Sequence, residues 1–220
     1  MIVWLKDKDS LNRVVVTKTY KIGNKNISFE SGRLALFATG SVVIQDEVGN
    51  FLLTTCGIGN PKDGDFFPLT VEFQEKFYAT GKIGGNRFMK REWRPSEASI
   101  LNSRMIDRPI RPMFPKGTRT DTQIISSIMS SSGLSDFGWY GITGASLSVM
   151  LAGVTEFEGP VAWVRIASDE AGNFIFDPTF EQIASAHLDL TVAGTLDAIT
   201  MVESQGSEVS NELMVRAFEY

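Results

Sequence analysis

One cysteine and one histidine are all that 220 residues contain of these two types. Cys56 by itself excludes an internal disulfide and fits a reducing compartment. His187 by itself excludes a multi-histidine metal site and leaves little room for Ser–His or Cys–His catalysis. It lies in ASAHLDL, between a helix end and a strand, where a half-buried or surface histidine is the ordinary outcome. No apolar run approaches the roughly 18 residues of a membrane span. The first ten residues, MIVWLKDKDS, reach charge too early for a secretory leader. Low-complexity linkers and short repeats are lacking too. These absences predict a soluble, cytoplasmic protein forming one domain over residues 1–220.

What the chain does have is an uneven distribution of charge. Its net charge is −5, yet residues 82–119 hold ten Lys or Arg against three acids. The remainder carries 11 basic and 23 acidic residues, so a basic segment is set in an acidic shell. Such a segment predicts a polyanion partner that the overall charge conceals.

Strand patterns recur at 13–20, 41–46, 51–55, 69–73, 124–129, 161–167, 174–177, 189–194 and 198–204. Two pairs flank Gly/Asn turns, EVGN and SDEAGN, and predict hairpins. Helices are predicted from Ser96 to about Asp107, with Pro109 as the stop, and over 141–153, 179–186 and 210–220. Hairpins mixed with helices predict an α+β fold, with mixed sheets flanked by helices, not a doubly wound parallel sheet.

Two stretches of the basic segment have chemistry of their own. After Gly84 and Gly85, the aromatic and thioether side chains of Phe88, Met89 and Trp93 alternate with Arg87, Lys90, Arg91 and Arg94. That alternation suits single-stranded nucleic acid, whose bases stack while cations follow the phosphates. A loop with its aromatics in the core and its arginines paired with Glu92 and Glu97 fits equally well. In RMIDRPIRP (104–112), Pro109 and Pro112 are expected to hold Arg108 and Arg111 in a stiff extended turn. Forked guanidinium groups there match phosphate oxygens, although Asp107 could instead pair with Arg104 or Arg111. GKIGGN (81–86) lacks the ending of a nucleotide-binding loop. Asp63 and Asp65 fall in a Gly/Pro loop, where solvated turn acids are expected.

With DFFPLTVEFQEKFYATGKIGG (65–85), REWRPSE (91–97), RMIDRPIRP, GAS (144–146) and LDLTVAGT (188–195) in order, the chain resembles the polynucleotide phosphorylase family. The similarity runs from about residue 13 to 220 and is to the first of that family's two RNase PH-like domains, of ribosomal protein S5 domain 2-like fold. The resemblance implies a trimeric ring that degrades single-stranded RNA from its 3′ end by phosphorolysis. Its RNA-entry loop would fall on Phe88, Met89, Lys90 and Arg91, with Met89 in place of an aromatic. Arg94, Arg104, Arg108 and Arg111 would lie along the RNA path.

The resemblance also implies which parts are missing. The family's phosphorolytic site belongs to the second RNase PH-like domain, which lies outside this sequence, as do the KH and S1 modules. Here the phosphate-loop serines would fall at Asp136 to Gly138, and the acidic and basic positions at Ile183, Asp189 and Thr191. Only Asp189 persists, as a vestigial candidate. The expectation is therefore no catalytic or metal residue in this chain, with Mg²⁺ or Mn²⁺ and inorganic phosphate serving the full-length enzyme. A non-enzymatic RNA-binding ring subunit and a diverged stand-alone phosphorylase remain the alternatives.

Overall fold

The computed structural model describes residues 5–8, 14–23, 25–83, 94–134 and 136–220, with side chains from residue 14 onward. Seven strands form the larger sheet: β1 (Leu5–Lys8), β2 (Val14–Ile22), β3 (Lys25–Ser31), β4 (Gly40–Asp46), β5 (Phe51–Pro61), β6 (Leu69–Gln74) and β7 (Thr120–Ser130). Their order is β1-β2-β3-β4-β5-β7-β6, and only β6 and β7 run parallel. A second, antiparallel sheet of four strands has the order β11-β10-β8-β9. Its members are β8 (Ala162–Ser168), β9 (Phe174–Phe176), β10 (Leu188–Gly194) and β11 (Ile199–Gly206). The helices are α1 (Glu97–Ile110), α2 (Gly138–Leu151), α3 (Phe180–Ala184) and α4 (Asn211–Glu219).

Both predicted hairpins form. β4 and β5 pair through Val43↔Leu53, and β8 and β9 through Ile166↔Phe176. Strand alternation then decides which side chains meet which layer. Trp163, Ala193 and Met201 point from the small sheet into the main core, where they join Ile106 and Ile110 of α1 and Tyr140 and Ile142 of α2. Ile44, Leu52 and Ile124 close that core from the large sheet. Ile166, Leu188 and Leu190 point the other way, onto Met214 and Ala217 of α4. The result is four layers: sheet, helix pair, sheet, helix. The α+β expectation holds.

Helix α2 is buried on almost every side, which its small residues permit. A Cβ on Gly144 would lie 2.5 Å from Thr54 Oγ1 on β5, and one on Gly138 would lie 2.5 Å from the Trp163 ring on β8. Glycine is what lets both sheets approach the same helix so closely.

Two features depart from the sequence reading. β1 and β3 were not predicted as strands. The run KNISFES is mostly polar, and β3 becomes a strand through its ladders to β2 and β4, with Ile27 buried. The second departure concerns the arginine turn. Pro109 does not stop α1 at Asp107; the helix continues to Ile110, and Arg111 is itself helical, with φ −55° and ψ −46°. Pro112 then opens a short 3-10 turn, where a missing N–H does little harm. Pro109 forgoes one hydrogen bond inside the helix, but it is buried with Ile106 and Ile110, and that burial holds the helical path. Arg108 and Arg111 therefore lie on successive turns of a helix and its continuation, not on an extended turn.

A buried carboxylate ties α2 to the β4–β5 hairpin. Asp46 Oδ1 accepts from the backbone N–H of Val48 (3.1 Å) and Asn50 (2.8 Å). Its Oδ2 accepts from Asn50 Nδ2 (2.8 Å) and Tyr140 Oη (2.5 Å). Burial, reinforced by that bond to Asp46, pushes the Tyr140 phenol well above its ordinary range. Asp46→Ala strands these donors and is expected to cost about 3–5 kcal/mol, whereas Tyr140→Phe removes one bond and costs about 1–2 kcal/mol. Urea unfolding midpoints measure both, and equal losses would contradict the network.

Candidate nucleic-acid interface

Helix α1 starts where the sequence places it. The Ser96 hydroxyl accepts from the Ser99 N–H at 2.9 Å, and Arg94 stands exposed in the bend just before this cap. Arg104 and Arg108 follow on one face of the helix, about 6 Å apart along its axis. The two do different things. Arg104 is exposed and makes no ion pair among the described residues, whereas Arg108 reaches across to Glu203 on β11. Arg111 is bound most thoroughly. It grips Asp107 with two hydrogen bonds (2.9 and 2.7 Å) and donates to the Phe67 and Leu69 carbonyls, each at 3.1 Å. Those contacts fasten the start of β6 to the end of α1 and explain why Arg111 holds a helical backbone before proline. Of the two pairings open for Asp107, the structure forms the one with Arg111.

Phe88, Met89, Lys90 and Arg91, with Gly84, Gly85, Arg87 and Trp93, lie outside the described residues. Among the described members of the basic segment, Lys82, Arg94, Arg104 and Lys116 make no ion pair with another described residue. Arg119 approaches Asp65 at 3.7 Å, with both side chains exposed.

Asp189 sits on β10, on the face of the small sheet that carries Ala193 and Trp163. Both of its oxygens are taken by Arg165 of β8, at 2.8 and 2.7 Å. The remaining Nη1 of Arg165 donates to Asp136 at 2.9 Å. Asp136 lies at the start of α2 and also accepts from the Gly138 N–H at 3.2 Å, a favourable place for negative charge. Burial pushes the Asp136 carboxyl above its ordinary range; the Arg165 charge pulls it back, and the Asp189 charge adds to the rise. The hydrogen bonds to Asp189 raise the Arg165 guanidinium further, so it stays charged.

This donor set does not fit a divalent cation. Both oxygens of Asp189 already accept from the Arg165 guanidinium, its neighbour two residues on is Thr191, and Ile183 offers no carboxylate. No group of three His, Cys, Asp or Glu among the described residues is placed to hold a metal ion. A cavity of about 190 Å³ borders Arg165, but Ile27, Phe29, Trp139, Trp163 and Phe176 make it apolar and unsuited to phosphate.

Sequence reasoning missed Arg165. The signal was present in VAWVRIA: on a strand with Trp163 facing the core, Arg165 shares that face, and an inward arginine needs carboxylates. Which carboxylates could not be read from the strand. His187 lies half-buried ahead of β10, as its surroundings predict.

These layers and their order define an RNase PH-like α+β fold, and solved structures carry the same one. The crystal structure of rice (Oryza sativa) Rrp46 matches with a TM-score of 0.69 at 12% identity, covering 88% of this chain and 86% of that one. Models of the 3′ exoribonuclease family match residues 23–155 (domain 1) and 159–220 (domain 2), and the chain belongs to that family. The two segments meet between α2 and β8, and their side chains share one core. The polyribonucleotide nucleotidyltransferase of Koribacter versatilis (strain Ellin345) is 42% identical over 199 residues. That match covers 90% of this chain and 24% of the relative, so the chain spans about a quarter of its length.

The ion-pair chain from Asp136 through Arg165 to Asp189 sets a pH test. A carboxyl whose folded pKa is raised adds stability below its unfolded pKa, and that contribution is lost as pH rises through the folded value. Arg165→Met removes the one influence of Arg165 that lowers Asp136, so this window widens upward. The variant is expected to lose about 3 kcal/mol near pH 8 and distinctly less near pH 5. An equal deficit at both values, by urea unfolding, would show that the two carboxylates do not depend on Arg165.

Proposed function

We propose that this chain is the first RNase PH-like domain of a polynucleotide-phosphorylase-type enzyme, and that it guides single-stranded RNA without performing the chemistry. The observation that carries this reading is the state of Asp189: both of its oxygens accept from Arg165, so its charge is already compensated by a fixed guanidinium where a metal ligand or a proton carrier would need it available. Meanwhile Arg94 and Arg104 stand exposed, with no carboxylate partner among the described residues, which leaves both available to phosphate.

In this reading Phe88, Met89, Lys90, Arg91 and Arg94 receive the RNA, and Arg104 and Arg108 hold its phosphates. Arg111 secures the helix end that presents them. The second RNase PH-like domain of the same enzyme supplies the phosphorolytic site, with inorganic phosphate and Mg²⁺ or Mn²⁺, inside a homotrimeric ring.

Incubation of the chain with oligo(A), phosphate and Mg²⁺ tests the division of labour. Binding without release of nucleoside diphosphates is expected; appreciable release would favour a stand-alone phosphorylase instead. Arg104→Ala should weaken binding and flatten the slope of log K against log salt by about 0.7, the value for one lost single-strand phosphate contact. Arg111→Ala should lower the urea midpoint and leave that slope unchanged. A flattened slope for Arg111→Ala with no loss of stability would return that residue to the RNA path.

A further inference from the structure

The arginine face of α1 is not presented bare. Arg108 is paired with Glu203 of β11, a strand of the other sheet, and the two side chains are 50% and 41% exposed. Around that pair the register of the small sheet sets out the remaining charges. Thr191 of β10 lies opposite both Arg165 and Glu203, so Arg165, Thr191 and Glu203 form one row on the inward face. Asp189 is the diagonal neighbour of Glu203 on that face.

Arg165 is engaged elsewhere: its Nε and Nη2 donate to Asp189 and its Nη1 to Asp136. Among the described residues, Arg108 is the cation with which Glu203 pairs. Arg104, one turn earlier on the helix, has no such carboxylate among the described residues. Two arginines on one helical face thus differ in a single respect: one is open to solvent and one is occupied by an internal anion.

A carboxylate and a phosphate offer a guanidinium the same forked arrangement of acceptor oxygens. We infer that Glu203 is an internal competitor for the RNA backbone, holding Arg108 until a phosphate displaces it and so setting how tightly this face grips its strand. The inference rests on the RNA-guiding reading above. The competitor is weak by construction, since both partners are near water and an exposed pair contributes little. An RNA that displaces it loses little affinity, and the arginine is kept ordered on the helix face in the meantime. A protein that passes a strand along itself has use for such a contact, which is made and released cheaply.

The test is a double-mutant cycle with labelled oligo(A), with affinity measured by fluorescence anisotropy at fixed ionic strength. Glu203→Gln keeps the shape of the side chain and removes its charge, and should tighten binding by about two- to fivefold. Made in an Arg108→Ala background, the same substitution should change affinity by less than about 1.5-fold, because the competition no longer has an object. Plain repulsion between Glu203 and RNA would survive in that background, so an undiminished gain there overturns the proposal; so does no gain in the single variant. Failure of the underlying reading looks different: oligo(A) binding would be absent, or unchanged by Arg104→Ala and Arg108→Ala alike.

Discussion

Everything in this fold is organised around a helix that two sheets touch at once. Helix α2 meets β5 through Gly144 and β8 through Gly138, and either position would drive a side chain into its neighbour. Tyr140 on the same helix donates to the buried Asp46, which in turn folds the β4–β5 turn around itself. The helix is therefore both a spacer and a fastener. Its depth brings the start of α2, with Asp136, beside β8 and β10, and so creates the setting in which Arg165 bridges two carboxylates.

That bridging sets the electrostatics around Asp189. A carboxylate with both oxygens in a fork with arginine is held in place and electrostatically quenched, which is the opposite of what a metal ligand or a proton carrier needs. Charge is treated differently on α1. There Arg111 is used up in holding the helix end, Arg108 is lent to Glu203, and Arg104 is left facing solvent. Three arginines within eight residues thus run from structural to available, and in the proposed reading that gradation serves to steer a polyanion.

Much of this was legible in the residues. The nine strand patterns, the two Gly/Asn hairpins and the Ser96 cap follow from periodicity and turn chemistry, and each appears in the structure. The misreadings share a cause. Pro109 and Pro112 do disfavour helix at the residues before them, but that preference is modest beside the burial of Ile106 and Ile110 and the hydrogen bonds of Arg111. The run KNISFES has little strand propensity, and it is a strand because two ladders surround it.

The sequence by itself determined the α+β class, the clustering of cations in residues 82–119, and the presence of Thr191 two residues after Asp189. These are local properties, set by which residues follow one another. Only the tertiary structure decided what each charged group does, because an ion pair depends on distances between elements far apart in the chain. Arg165 meets Asp136 and Asp189 across 29 and 24 residues, and Arg108 meets Glu203 across 95. No spacing rule reaches that far; the packing of two sheets on one helix does.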